Sequence, residues 1–194
     1  MDFLKRIEKC FGNLIEPSPQ ELREALDKLR ITPEDLIPFL ENPGFFPYGR
    51  KLLLKTDHVE ILVMNWAYNF ECSPHDHGNS FGWVAVVNGE STHTMYTLNQ
   101  RDVPVPYLSK VENTGRPFFA PKGFIHQMVN FGEEGLVTFH VYSPPITGMK
   151  VYDLERCVGC VVSDDCGAWW PTEQRQMLQL LKLDQANQTV VNTQ

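Results

Sequence analysis

The chain has 194 residues, of which 42% are hydrophobic and 21% are charged, and its formal net charge is -7. This length suits one domain with a substantial core, and the acidic balance, without a cluster of Lys and Arg, argues against a nucleic-acid partner. No apolar stretch approaches the roughly 18 residues that span a bilayer, and residues 1–6 do not lead into the apolar core of a signal peptide. We therefore expect a single domain over residues 1–194, in the cytoplasm and without a membrane partner.

The N-terminal segment, about residues 1–45, has the pattern of helices. Ser18-Pro19-Gln20-Glu21 has the spacing of a capping box with proline at the first helical position. Apolar residues then repeat at helical intervals, at Leu22, Ala25, Leu26 and Leu29. A second helix start is predicted at Thr32-Pro33-Glu34-Asp35, and residues 42–44 end the helical segment.

From about residue 46 to 152 the pattern changes to short runs rich in Val, Phe, Tyr and Thr, broken by Gly, Pro and Asn. Such runs are typical of strands in a sandwich or small barrel. The predicted strands include residues 59–66, 82–87, 91–98 and 136–142. Between them, residues 88–89 and 132–135 are predicted to form tight turns that join antiparallel partners.

The C-terminal extension, about residues 153–194, has a weaker pattern. Pro171-Thr172-Glu173 begins a predicted final helix that continues through Met177 to Leu181. The polar residues 185–194 are expected to be frayed.

Three of the five cysteines fall in this extension, with the spacing Cys157-x2-Cys160-x5-Cys166. A structural zinc site needs four ligands, and no nearby His or Cys completes this set. In a reducing compartment, free thiols are favoured over a disulfide framework, while a redox or inter-subunit role stays open.

Two segments carry the residues best suited to bind a metal ion. His75 and His77 are two residues apart, and such side chains face the same side when they lie on a strand. A pair of this kind by itself also fits two surface residues on an edge strand. His126 supplies a third imidazole about fifty residues later, and β-barrels collect metal ligands from distant parts of the sequence in this way. The sequence therefore predicts one metal ion bound by three histidines.

Both segments resemble the paired motifs of the cupin superfamily. The first matches at His75, His77 and Gly89, but Gly82 stands where most cupins supply a carboxylate ligand. The second motif is matched throughout, by Gly115, Pro121, Gly123, His126 and Asn130. The resemblance implies an all-β core with a single cupin fold, a small double-stranded β-helix or jelly-roll barrel, flanked by N-terminal helices and a short C-terminal helix.

Further stretches narrow the resemblance to the cysteine dioxygenase family, over roughly residues 45 to 150. Tyr48-Gly49-Arg50 precedes the first motif, and the run from His140 through Tyr142 to Pro145 follows the second. The missing carboxylate is consistent with this family. Three neutral imidazoles favour an anionic substrate that binds the metal directly, and a thiolate is such a ligand.

The resemblance implies a role for each matched residue. His75, His77 and His126 would bind Fe(II). Arg50, with Tyr48 beside it, would bind the carboxylate of a small thiol amino acid that reacts with O2. Tyr142 would lie near the substrate and O2, oriented by His140, and Thr138 takes the position of the family's hydroxyl residue. In mammalian members a Cys at the place of Gly82 forms a thioether to the tyrosine, and that bond cannot form here.

Each of these residues also has a simpler interpretation. Tyr142 and His140 fit a hydrogen-bonded pair in the core, and Arg50 fits a surface salt bridge. His58 and His93 lie outside any motif, so we do not expect either to touch the metal.

The function predicted from the resemblance is oxidation of L-cysteine by O2 to cysteine sulfinic acid. One alternative is a dioxygenase of 3-mercaptopropionate or another small thiol, although that related group tends to have Gln where Arg50 stands here. Another is a metal-binding cupin that acts as an isomerase or a binding module. Three histidines also suit nickel, copper or zinc, and a monomer is a plausible oligomeric state.

Overall fold

The computed structural model describes residues 2–183, and its N-terminal part contains three short α-helices. They are α1 (Phe3–Phe11), α2 (Pro19–Leu29) and α3 (Pro33–Leu36), and a 3-10 turn (Ile37–Phe39) follows. The predicted capping box at Ser18 and the predicted helix start at Thr32 are confirmed, and Thr32 also forms a capping box: each side chain accepts a hydrogen bond from the third residue of its helix. Within residues 2–183, no helix is both long and apolar enough to cross a membrane.

The rest of the described chain is mainly β-structure. The four predicted strand runs are confirmed to within one residue at either end, as the second, third, fourth and eighth strands. The strands are β1 (Tyr48–Lys55), β2 (Glu60–Trp66), β3 (Phe81–Asn88), β4 (Glu90–Leu98), β5 (Pro104–Asn113), β6 (Phe118–Ala120), β7 (Ile125–Val129), β8 (Val137–Ser143), β9 (Lys150–Asp153), β10 (Val158–Val162) and β11 (Met177–Lys182).

These strands form antiparallel sheets. The largest has the order β1-β2-β8-β3-β6, and two three-stranded sheets have the orders β5-β4-β7 and β11-β10-β9. Over residues 2–183 the hydrogen-bonded ladders do not close into a barrel. The predicted all-β core is therefore confirmed, and it is built from separate antiparallel sheets.

The prediction that residues 88–89 and 132–135 join antiparallel partners is wrong. Residues 88–89 connect β3 to β4, and residues 132–135 connect β7 to β8, yet each pair of strands belongs to two different sheets. The reason is that both edges of β3 are occupied by β8 and β6, and both edges of β8 by β2 and β3. Gly89, with φ +73°, lets the chain turn from one sheet into the other.

The predicted C-terminal helix is also wrong. A 3-10 turn (Gln174–Gln176) is followed by β11, which pairs with β10 from Val158 to Val162. The apolar residues from Met177 to Leu181 are too few to distinguish a helix from a strand, so pairing with β10 decides the conformation. The predicted frayed residues 185–194 lie outside the described residues.

Two central strands separate the helices from the candidate site. On β2, Ile61 and Val63 pack in one core cluster with α1 and α2, whereas Leu62 belongs to the cluster on the other side. On β8, Phe139 faces the helices and Tyr142 faces the opposite cluster. Because side chains alternate along a strand, the helices cover one face of this sheet and leave the other to form a cavity.

Candidate metal centre

The three predicted ligands come from two adjacent segments. His126 lies on β7, while His75 and His77 lie between β2 and β3, outside the named strands. The assumption that His75 and His77 share a regular strand is therefore wrong, because His75 forms only isolated bridges, to His126 and to Val151. Its N–H donates to the His126 carbonyl and its carbonyl accepts from the His126 N–H, each at 2.9 Å. This pair of backbone hydrogen bonds holds the two motifs side by side.

The side-chain nitrogens of these histidines converge. One nitrogen from each of His75, His77 and His126 lies within 4.8 Å of the others, and all three residues are buried. The Nε2 atoms of His77 and His126 are 3.3 Å apart. Two nitrogens bound to one ion at about 2.1 Å lie roughly 3.0 to 3.4 Å apart, depending on the geometry. The arrangement therefore fits a single metal ion.

Contacts behind the rings determine which nitrogens face this point. His75 Nδ1 is 2.9 Å from the Ser73 carbonyl, which only accepts, so Nδ1 carries the proton and Nε2 keeps its lone pair. His77 Nδ1 is buried without a hydrogen-bond partner in the described chain. Its other nitrogen, Nε2, lies near both His126 Nε2 and Tyr142 Oη, and it is the nitrogen of His77 placed to bind a metal ion.

His126 is held by a second histidine. Its Nδ1 is 2.9 Å from His93 Nε2, and His93 Nδ1 is 3.2 Å from Glu112 Oε1. A carboxylate accepts, so His93 donates from Nδ1 and accepts at Nε2 from the His126 Nδ1–H. That leaves the lone pair of His126 on Nε2, directed at the other ligands. Lys110 Nζ lies 2.8 Å from the same Glu112 oxygen and forms the outer end of this chain.

The ligand histidines are neutral. Burial lowers the pKa of His75 to about 4, and it lowers the pKa of His77 and of His126 well below the usual range. Repulsion between charged rings lowers these pKa values further, from His93 for His75 and from several neighbouring imidazoles for His77 and His126. Neutral imidazole is the form that coordinates a metal ion.

A chain of buried side chains adjoins the three histidines. Tyr142 Oη lies 3.2 Å from His77 Nε2 and 2.9 Å from His140 Nδ1. His140 Nε2 is 2.7 Å from Thr138 Oγ1, which accepts from Trp66 Nε1 at 2.8 Å. Burial lowers the pKa of His140 to about 3 and raises that of Tyr142 well above its usual value. His140 is therefore neutral and Tyr142 is a protonated phenol.

Tyr48 and Arg50 line the same cavity. Both are on β1 and line the cavity together with the three ligand histidines and Tyr142. Tyr48 Oη accepts from the Ala168 N–H at 2.7 Å. Arg50 donates to Glu60 Oε1 at 3.3 Å and to the Asp164 carbonyl at 3.0 Å. The structure thus brings every site residue predicted from the sequence to one cavity.

A comparison with known families agrees with this arrangement. The family described as cysteine dioxygenase type I matches residues 47–155, which is more than half of the chain. The chain belongs to the cysteine dioxygenase type I family. This membership and the three-histidine cluster support a metal-dependent function of the cupin type.

Solved structures show the same fold at low sequence identity. A Klebsiella pneumoniae protein described as uncharacterized, with a double-stranded β-helix domain, is 19% identical, with a TM-score of 0.51 over 64% of this chain and 97% of that chain. An oxalate oxidase is 18% identical, with a TM-score of 0.50 over 62% of this chain and 63% of that chain. The fold of this cysteine dioxygenase family member is thus the predicted cupin, or double-stranded β-helix, fold.

Gly82 occupies a position where this member departs from most cupins. In the β3–β8 ladder it lies opposite Tyr142. A Cβ atom at this position would collide with the Tyr142 ring and lie 2.5 Å from the Val141 carbonyl oxygen. The absence of a side chain at Gly82 therefore allows the Tyr142 ring to pack against β3.

Sequence reasoning missed several residues of the centre. His93, which is not predicted to touch the metal, contacts His126, and Glu60 and Glu112 carry no signal in the sequence. Each lies on a strand without a motif, and its partner is distant in sequence. The alternation of His93 with Ser91 and Met95 on β4, all buried, is the one pattern that indicates an inward-facing histidine.

No cysteine belongs to the candidate ligand set, although Cys72 Sγ lies 3.9 Å from His75 Nδ1 and Cys166 lines the cavity. All five cysteines are free thiols, and Cys160 and Cys166 are buried in a core cluster with Val151. Within residues 2–183, the His75, His77 and His126 group is the one set of His, Cys, Asp and Glu side chains with the geometry of a metal site. The preference for free thiols over a structural zinc site agrees with this arrangement.

Proposed function

We propose that this protein is a mononuclear non-haem Fe(II) thiol dioxygenase that converts L-cysteine and O2 to cysteine sulfinic acid. The observation that carries the proposal is the presence, in one cavity, of three neutral histidines without a carboxylate among them and of an arginine. Family membership over residues 47–155 supports the same reaction class.

His75, His77 and His126 are the residues that would hold the ion, each through Nε2. Fe(II) bound there supplies a Lewis acid that ionises a thiol and a redox centre for O2. His75 is fixed from behind by the Ser73 carbonyl and His126 by His93, so the lone pairs of these two rings are oriented before any ligand arrives.

The charge of the ligand set favours an anionic substrate. Three neutral imidazoles contribute no negative charge, and Gly82 offers no carboxylate. A substrate thiolate would supply the negative charge that the protein ligands lack. This difference separates the site from cupins in which a glutamate is the fourth ligand.

Arg50 binds the other end of the substrate. Its planar guanidinium is suited to a carboxylate, and it lies with Tyr48 on the wall of the cavity that also contains the histidines. A molecule with a thiol at one end and a carboxylate at the other, such as cysteine, satisfies both walls.

Tyr142 is the hydrogen-bond donor at the reacting end. When His140 carries its proton on Nδ1, it donates to Tyr142 Oη and leaves the phenolic hydrogen free to point into the cavity. Thr138 then donates to His140 Nε2 while accepting from Trp66. The chain of side chains thus keeps Tyr142 protonated and directed at the substrate.

The cavity wall excludes water from the reacting atoms. Much of its lining is apolar and includes Leu62, Met64, Met128, Ile146 and Val162. A dry wall strengthens the contacts that the histidines and Arg50 make with charged groups of the substrate. Both atoms of O2 enter the sulfinate, so the reaction needs no external reductant.

The test is oxygen uptake by Fe(II)-loaded protein with cysteine, cysteamine and 3-mercaptopropionate, with mass detection of each sulfinate. Zn(II)-loaded protein is the matched control, because zinc takes the same nitrogen ligands but has no redox chemistry. We expect cysteine to be consumed with one O2 per sulfinate by the iron form alone. A preference for 3-mercaptopropionate would identify that thiol, and not cysteine, as the substrate. The absence of any sulfinate would contradict the proposal.

A further inference from the structure

Arg50 has two protein acceptors of its own. Nη1 donates to the Asp164 carbonyl at 3.0 Å, and Nη2 donates to Glu60 Oε1 at 3.3 Å. The Arg50 side chain is 21% exposed, but that of Glu60 is only 3% exposed. A carboxylate is rarely buried unless it is paired, so this contact differs from a solvent-exposed ion pair.

Glu60 is fixed at its second oxygen as well. Oε2 accepts from the Ile146 N–H at 2.8 Å, and Glu60 lies opposite Tyr142 in the β2–β8 ladder. One carboxylate therefore connects the Arg50 guanidinium to the segment that follows β8. It holds the arginine at a defined distance from the strand that carries Tyr142.

The guanidinium retains donors for a ligand. It has five N–H groups, of which two are used by Glu60 and Asp164, and three remain. The charge of Glu60 also offsets that of Arg50, so directed hydrogen bonds, rather than a net positive field, must distinguish a carboxylate from an uncharged group. Directed bonds require a guanidinium that is held in one orientation.

We propose that Glu60 is a positioning residue that orients Arg50 for the substrate carboxylate and thereby sets the preference for carboxylate-bearing thiols over cysteamine. The inference rests on the proposed function. It adds a residue outside the sequence motifs, and it predicts an effect on substrate selection rather than on metal binding.

The experiment compares Glu60→Gln with the unmodified enzyme, using cysteine and cysteamine as substrates. The amide cannot provide the charge, and its single oxygen cannot serve both Arg50 and Ile146. We expect KM for cysteine to rise about tenfold, the effect of one charge-assisted hydrogen bond, with kcat and iron content little changed. The constants for cysteamine should not move, since it has no carboxylate.

Glu41→Gln is the matched control. Glu41 pairs with Lys51, the residue next to Arg50 on β1, at 2.8 Å, but both side chains of that pair are exposed. The Glu41→Gln variant removes the carboxylate that pairs with Lys51 and leaves Arg50 unchanged. Its kinetic constants should therefore equal those of the unmodified enzyme. A double variant, Arg50→Gln with Glu60→Gln, should show no further rise in KM over Arg50→Gln alone.

Glu60→Asp covers the case in which Glu60→Gln does not fold. It retains the buried charge but shortens the reach by one methylene, and it should again raise KM for cysteine and not for cysteamine. The inference is overturned if either folded variant behaves like Glu41→Gln, or if cysteine and cysteamine are affected equally. If the unmodified protein oxidises none of the thiols, the proposed function fails and the inference fails with it.

Discussion

The two ends of the cavity are built in different ways. At the metal end, three buried histidines are fixed by backbone and ring contacts within the segment that matches the family, such as the double hydrogen bond between His75 and His126. At the other end, Arg50 and Tyr48 are held partly by Asp164 and Ala168, which lie beyond residue 155. The metal end thus depends on family motifs, whereas the substrate end also depends on the C-terminal extension.

The largest expected effect comes from removing one of the proposed metal ligands. His126→Ala deletes a nitrogen and leaves His93 without its partner, so we expect metal affinity and oxygen consumption each to fall more than about hundredfold. Metal analysis and oxygen uptake measure the two effects. His58→Ala, which changes a histidine away from the cavity, should alter neither. Full metal occupancy in His126→Ala would place the ion elsewhere.

A substitution at Arg50 tests the substrate end of the cavity. Arg50→Gln removes the charge that the carboxylate needs, so KM for cysteine should rise about tenfold to hundredfold, while bound iron stays constant. Steady-state kinetics and metal analysis separate these quantities. Lys51→Gln, one residue along β1, is the control. If Arg50→Gln loses its metal, the two ends are not independent.

A substitution at His93 tests a residue that supports the metal end without contacting the substrate. His93→Leu removes the acceptor for His126 Nδ1, and we expect metal affinity to fall about tenfold. His93→Gln restores an acceptor oxygen and should recover part of that loss. Competition with a metal chelator gives both values, and Thr94→Ala, on the adjacent surface position, is the control. Equal affinity in the Leu and Gln variants would show that the ring contact has no role.

The remaining expected effect is on stability rather than on metal or substrate binding, and it concerns Gly82. Gly82→Ala places a methyl group against the Tyr142 ring and the Val141 carbonyl, so the free energy of unfolding should fall by about 1 to 3 kcal/mol. Urea denaturation measures it. Gly135→Ala is the control, because a Cβ there meets no atom within 4 Å. An unchanged midpoint in Gly82→Ala would mean that β3 and Tyr142 do not pack this closely.

Local signals predicted much of the fold. The capping boxes at Ser18 and Thr32 fix helix starts through contacts three residues apart, and the strands follow from their residue types. Sheet membership was not predictable in this way. Whether β4 pairs with β3 depends on which strands already occupy the edges of β3. Residues 177–182 form the strand β11 because they pair with β10.

The same distinction applies to the candidate site. His75, His77 and His126 were found because a motif records their spacing. Glu60 and His93 belong to no motif, and their partners Arg50 and His126 lie 10 and 33 residues away in sequence. Nothing in a single sequence indicates such pairs, so they emerge only when the strands are placed beside each other.

The central claim is that both atoms of O2 are transferred to a thiol held between the histidines and Arg50. The most direct measurement is turnover of cysteine by the Fe(II)-loaded protein under heavy-isotope dioxygen, followed by mass spectrometry of the product. We expect a sulfinate that carries two labelled oxygens. A product with one labelled oxygen, or cystine formed without incorporation of label, would contradict it.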